Sequence, residues 1–302
     1  MFAFLRHDDS FETARCFGRP RPAIWRAAIG ALAGLVISAS SAAAACHGKD
    51  GGESTVTGIN AGETLILEDG RAVRIAGVLT PKRSRSGPEA DARMKMETAL
   101  ASLVMGKKVS LHLDERERDR YGRVLAQIMM HDETGKPVWL QAQLVEAGLA
   151  RVISFESNRL CVKALLAIES AARETEKGLW GSGFFAVRQA HAEDVLYRLA
   201  RSYEIVEGRV SNVAQIKGRT YINFGDNWRR DFTAFIPSRR GQDFQSADGQ
   251  ADGETVDQVE LKTLKGRHIR VRGWLKNYNG PSITVTHPEQ IEILDRNAAT
   301  LR

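Results

Sequence analysis

Between Thr55 and Ala76 the chain alternates short apolar runs with turn residues. Gly62-Glu63-Thr64-Leu65-Ile66-Leu67, Glu68-Asp69-Gly70-Arg71 and Val73-Arg74-Ile75-Ala76 read as strand, turn and return strand. The apolar run continues to Leu79 and must leave the strand at Thr80-Pro81, because proline has no N–H to give a ladder. Gly87-Pro88-Glu89 then opens a helix in which Ala90, Met94, Met96, Leu100 and Leu103 recur near helical spacing until Gly106 stops it. Lys108–Leu113 alternates like a half-buried strand, with Lys108, Ser110 and His112 on the outer face. The densely charged run Asp114–Arg123 reads as a solvated turn, Leu125–Met129 as a strand and Val138–Gly148 as a short helix. Lys163–Lys177 reads as an amphipathic helix closed by Gly178.

Beyond this point the pattern changes. Residues 184–202 read as a connector, helical at Glu193–Leu199, and are followed by strand-like runs at Tyr203–Val213, Arg219–Phe224, Phe232–Ile236, His268–Leu275 and Ser282–Thr286. Gln242–Asp257 is a polar, Gly/Asp-rich loop. Five strand-like runs with Gly-containing turns suggest a second small OB-like β-barrel. Basic and aromatic side chains interleave there, as they do in proteins that bind single strands. Trp228, Arg229, Arg230 and Tyr278 are the candidate exposed contacts; Trp274 is assigned to the core.

Composition changes this picture little. The 302 residues suffice for two modest domains, and a formal charge of +6 suits an anionic partner without requiring one. The first 45 residues stand apart. Arg19, Arg21 and Arg26 precede the apolar run Ala27–Ile37, and small residues lead to Ala43-Ala44-Ala45, which is the pattern of a signal peptide cleaved before Cys46. Its removal takes five basic and three acidic residues and leaves the rest near +4, with no transmembrane span. The expectation is an exported protein, periplasmic or secreted. The absence of leucine ahead of Cys46 argues against a lipoprotein. Cys46 and Cys161 are then the remaining cysteines, and an even pair in an oxidising compartment points to a disulfide. The alternative is Cys161 as a small buried hydrophobe.

The candidate chemistry lies in two arginines. Arg74 interrupts the apolar run Val73–Leu79, and Arg123 closes Asp119-Arg120-Tyr121-Gly122-Arg123 at the mouth of the next strand. Two guanidinium forks at strand ends can converge on one phosphate. With these residues, Gly148-Leu149-Ala150 and Gly178-Leu179-Trp180, the chain from about Thr55 to Gly181 resembles the thermonuclease, or staphylococcal nuclease-like, family. The resemblance implies an OB barrel with helices, so the fold class expected for the whole chain is mainly β with α (α+β). The domains expected are 46–183, a 184–202 linker and 203–296.

In active members of that family the two arginines bind the scissile phosphate. Two aspartates and a threonine carbonyl hold calcium, and a glutamate just after Thr-Pro is the proposed general base. Here the arginines map to Arg74 and Arg123, with Tyr121 beside them as a nucleic-acid contact. The metal positions hold Glu63, Leu79 and Thr80, and the base position holds Lys82. Calcium takes several oxygen ligands, so an apolar residue at one ligand position and a cation at the base position leave a vestigial metal site. Ser154 stands where many relatives carry a nucleotide-stacking tyrosine.

The expected function is binding of nucleic acid or nucleotide phosphates with little or no calcium-dependent phosphodiester hydrolysis, and with no cofactor unless the site is active with calcium. Two alternatives remain: an active nuclease with a rearranged site, and an envelope scaffold whose partner is a protein.

Overall fold

Backbone pairing in the first half closes a ring of five strands. β1 (Lys49–Asn60) pairs antiparallel with β2 (Thr64–Leu67), and β2 with β3 (Ala72–Ile75), around the Asp69-Gly70 turn. After the two-residue β4 (Val78–Leu79) and helix α1 (Pro88–Val104), β5 (Lys108–Arg118) returns along the other edge of β1. β6 (Val124–His131) pairs antiparallel with β5 and parallel with β3, which completes the ring. A short β7 (Pro137–Trp139) runs directly into α2 (Leu140–Glu146), and β8 (Arg151–Val152) and α3 (Val162–Glu174) follow. This is the OB-like arrangement that the first half was expected to adopt, in a chain that is mainly β with few helices.

The structure is a computed structural model and describes residues 46–60, 62–82, 84–238 and 261–294. The expected signal segment 1–45 and the polar loop 242–257 lie outside the described residues. All described residues fall within one compact unit, Ala39–Arg302.

Alternation along the strands fills the ring. Leu65, Leu67, Val73, Ile75, Val109, Leu111, Ala126 and Ile128 are buried together. Helix α1 covers one end with Ala92, Met96, Leu100 and Val104, a one-face i, i+4 series. Of the expected stripe Met96 and Leu100 are buried, Ala90 and Leu103 are half-buried, and Met94 is exposed. The Cys46–Cys161 disulfide ties the start of the described chain to the head of α3, with the Cα atoms 5.4 Å apart. Gly148 and Gly178 both have positive φ, and a Cβ at either would strike backbone of the other's segment. The turns after α2 and α3 therefore cross in backbone contact, which accounts for both glycine motifs.

Two expectations shift here. The charged run after Leu113 is not all turn: β5 extends to Arg118, which pairs with Val124, and only residues 119–122 turn. Charged side chains are tolerated on that stretch because it is exposed. Val138–Gly148 splits into a strand and a shorter helix, because Val138 and Trp139 pair with β6 before the chain coils.

The second half forms one sheet in the order β11-β12-β13-β15-β14-β10-β9, with β16 on β14. These strands are β9 (Val187–Gln189), β10 (Tyr203–Arg209), β11 (Asn212–Ile216), β12 (Arg219–Asn223), β13 (Thr233–Ile236), β14 (His268–Asn277), β15 (Pro281–Thr284) and β16 (Ile291–Ile293), with α4 (Glu193–Arg198) between β9 and β10. The run Tyr203–Val213 is two strands, broken where Val210 and Ser211 leave the ladder. The segment expected to be a connector contributes β9, parallel to β10. Val206, Ile222, Phe232, Ile269, Val271, Leu275 and Ile283 form a second core. The opposite face of β14 carries Arg270, Arg272 and Trp274, and it meets the first half.

Candidate functional site

Register brings the two predicted phosphate arginines to one face. Thr64 of β2 lies opposite Arg74 of β3, and Arg74 pairs with Leu125 of β6. Arg123 stands two residues before Leu125 and so shares its face. The geometry agrees: Arg123 Nη1 donates to Thr64 Oγ1 at 2.9 Å. Each arginine is also held by a carboxylate. Arg74 Nη2 is 3.3 Å from Glu63 Oε1, and Arg123 bonds Asp119 Oδ2 through Nε and Nη2, each at 2.7 Å. Asp119 additionally accepts the backbone N–H groups of Tyr121 and Arg123, which shapes the turn. Burial pushes the Asp119 carboxyl up, but the Arg123 side chain and these two backbone donors outweigh it and hold the carboxyl below its usual range.

The residues at the metal and base positions are otherwise engaged. Glu63 Oε2 accepts from Thr80 Oγ1 at 3.5 Å, while its other oxygen faces Arg74. Leu79 brings a side chain without oxygen. Lys82 is exposed, with Nζ 5.5 Å from the centre of the Trp274 ring. Among the described residues no three His, Cys, Asp or Glu side chains gather where they could hold a metal ion. The Glu63 corner is buttressed from below by Arg93, which sequence reasoning missed. Its guanidinium donates to the Pro81 carbonyl at 2.9 Å and to Glu97 at 2.6 Å. It also fills the space that a Cβ at Gly62 would need. The i, i+4 pair Arg93 and Glu97 was the available signal.

In front of the arginine face lies a cleft of about 410 Å³, lined among others by Arg74, Arg116, Arg120, Tyr121, Phe155 and Trp274. Arg116 and Arg120 are exposed and, among the described residues, have no carboxylate partner; Arg120 donates to the Tyr121 hydroxyl at 2.7 Å. The tyrosine ring stacks below both Arg120 and Arg123, with cation-to-centroid distances of 4.8 and 5.5 Å. Ser154 takes no part in the cleft. It is buried and shares a 2.6 Å hydrogen bond with His287 Nε2 of the second half, while its neighbour Phe155 is 48% exposed at the cleft wall. The exposed aromatic ring at this point in the chain is thus Phe155, one residue beyond Ser154.

Trp274 is also placed differently from expectation. It is 41% exposed and lines the cleft, because β14 alternates and puts it on the face of Arg270 and Arg272 rather than that of Val271 and Leu275. Arg272 itself is not available to a ligand. It is 1% exposed and donates from Nη1 to the fully buried Glu169 of α3 at 2.8 Å and from Nη2 to Glu292. Arg270 bonds Glu207 and Glu292. Trp228, Arg229, Arg230 and Tyr278 are exposed but lie outside the cleft lining. They sit on two turns of the second sheet that touch where Gly280 packs on the Arg230 backbone.

Residues 72–182 match the family described as staphylococcal nuclease homologue. A similar relative is the protein named thermonuclease from Staphylococcus hyicus, 27% identical over 125 residues, which cover 40% of this chain and 71% of the relative.

Proposed function

Because residues 72–182 are staphylococcal nuclease-like, we propose that this protein binds the phosphates of nucleic acid or nucleotides at Arg74 and Arg123, at the cleft that Arg74 lines, and hydrolyses phosphodiesters slowly or not at all. The observation that carries this reading is the unequal state of the two halves of the site. The arginine face is assembled, with both forks held in place by carboxylates and by Thr64. The metal side offers one carboxylate already facing Arg74, an apolar Leu79 and a threonine. That donor set does not fit calcium, which takes six to eight oxygens. Lys82 bears a positive charge where a proton acceptor is needed, and loss of a general base alone slows a reaction about 10²–10⁴-fold. Calcium is therefore no part of the proposed mechanism. The chain's own residues bind and orient: Arg74 and Arg123 grip a phosphate, and Arg116 and Arg120 draw the strand towards it.

Export belongs to the same proposal. The signal-like segment 1–45 and the Cys46–Cys161 bridge both suit a periplasmic or secreted protein. No helix of the described residues is long and apolar enough to cross a membrane. We read 46–183 as the binding domain and 203–296 as a second OB-like domain, with 184–202 joining them; the second sheet has a core separate from the first, which also takes in Ala190 and Leu196 of the joining segment.

The test is equilibrium binding of a single-stranded oligonucleotide as salt is raised, alongside cleavage with calcium and with a chelator. Binding that weakens linearly on a log–log plot, by a slope of about −0.7 per phosphate contacted, is the expected result. Rapid chelator-sensitive cleavage would establish the rival reading of an active, rearranged nuclease. No binding even at low salt would leave the protein-scaffold reading. Leu79→Asp, Lys82→Glu and Glu63→Asp together are expected to yield calcium-dependent cleavage that none yields alone.

A further inference from the structure

Among the described residues, six aromatic side chains are prominently exposed: Tyr121, Phe155, Tyr197, Trp228, Trp274 and Tyr278. Three of them, Tyr121, Phe155 and Trp274, line the one cleft that also holds Arg74, Arg116 and Arg120. Trp274 comes from outside the family-matched segment, on a strand of the second sheet. Its ring is fixed from two directions: Tyr203 meets it edge-on with centroids 5.8 Å apart, and the Lys82 amine sits over it. Tyr203 is itself anchored, its buried hydroxyl donating to the Val152 carbonyl at 3.1 Å. A large ring backed by a buried tyrosine yet left open to solvent, beside Arg116 and Arg120, which have no carboxylate partner among the described residues, has the chemistry of a stacking platform next to a phosphate grip.

We infer that Trp274 is a ligand-binding residue of the cleft, offering its ring to an unpaired nucleobase whose backbone phosphates lie along Arg74, Arg116 and Arg120. The second sheet thereby completes the site, and the ligand class is single-stranded nucleic acid. Bases inside a duplex have both faces covered by stacking and cannot present one to the ring. The inference rests on the phosphate-binding reading above and adds the base to it.

The experiment uses the full chain and three probes: an octathymidylate strand, the same strand made wholly of abasic sugar-phosphate units, and a duplex of equal length. The wild type should hold octathymidylate about tenfold more tightly than the abasic strand, the effect of one base stacked on an aromatic ring. Trp274→Leu, which keeps apolar bulk but no ring, should bring octathymidylate down to the abasic level and leave the abasic affinity unchanged. Trp274→Phe should retain most of the difference. Equal losses for both single strands in Trp274→Leu, or equal behaviour of Trp274→Leu and Trp274→Phe, would overturn the inference. So would a duplex bound as tightly as the single strand. Failure of the phosphate reading looks different: the abasic strand would then either not bind the wild type or bind it and Arg74→Ala with equal affinity.

Discussion

The cleft and the junction between the two halves are both built from arginines on strands, and they hold them in different ways. At the cleft and its edge, Arg74 and Arg123 each have one carboxylate partner and remain partly open to solvent, while Arg116 and Arg120 have none among the described residues. At the junction Arg272 is enclosed between Glu169 and Glu292, and Arg270 bonds Glu207 and Glu292. Positive charge in excess of its partners is available to a ligand; positive charge matched by buried carboxylates is consumed in structure. The number of facing carboxylates, more than the presence of arginine, separates a binding face from a docking face.

The largest effect that would break this contrast is at the junction. Arg272→Ala leaves the Glu169 carboxylate buried without its main partner, and is expected to lower stability by about 3–5 kcal/mol in urea denaturation. Replacing Arg272 by Met together with Glu169→Leu should recover most of that loss, since a well-packed apolar pair can stand in for a buried ion pair. A loss below about 1 kcal/mol in Arg272→Ala would place Arg272 among the weakly contributing surface ion pairs.

Next come the cleft arginines, whose removal should move binding and not stability. Arg74→Ala and Arg123→Ala are each expected to weaken a nucleotide bisphosphate about tenfold or more by calorimetry, the scale of one charge-assisted hydrogen bond. Their urea midpoints should stay close to wild type. Arg74→Lys and Arg123→Lys should restore only part of the affinity, because the planar fork is lost. Unchanged affinity in the double Ala variant would make these arginines structural, like those of the junction.

The smallest effect is a pH dependence that the two regions share. Asp119 in the cleft and Glu292 at the junction are both pushed up by burial and pulled down further by their arginines, so each sits below its usual range. A carboxyl depressed in the folded state stabilises it above the unfolded value of about 4, and that contribution is lost as pH falls through the lower folded value. Carboxyl NMR titration should therefore find both midpoints below the ordinary values. Arg123→Ala should raise only that of Asp119, and Arg272→Ala only that of Glu292.

Much of the first half was legible because its signals are local. The Asp69-Gly70 turn, the Thr80-Pro81 exit and the helix stop at Gly178 each follow from one or two residues. Arg74 and Arg123 were legible because each stands at a strand end in a motif that the resemblance assigns to one phosphate, and the β3–β6 register then brings them to one face. The contributions of Phe155 and Trp274 to the cleft were not, since they depend on how two sheets dock, and docking is written in pairs far apart in sequence such as Arg272 with Glu169. Trp274 was misassigned although β14 carried the answer: counting by twos from Arg270 reaches it, and counting from Val271 reaches Leu275.

The Arg272–Glu169 contact also bears on what can be separated from what. The resemblance to known relatives ends near residue 182, which invites a view of the first half as a cassette and the second as an addition. Glu169 contradicts that view from inside the matched segment. Its side chain is fully buried, one oxygen accepting the Val152 amide and the other facing Arg272 across the junction. A chain cut after Gly181 would expose a carboxylate and an apolar rim to a solvent neither was shaped for. The two halves share one buried face, and removing either strips the other's side of it of its partner.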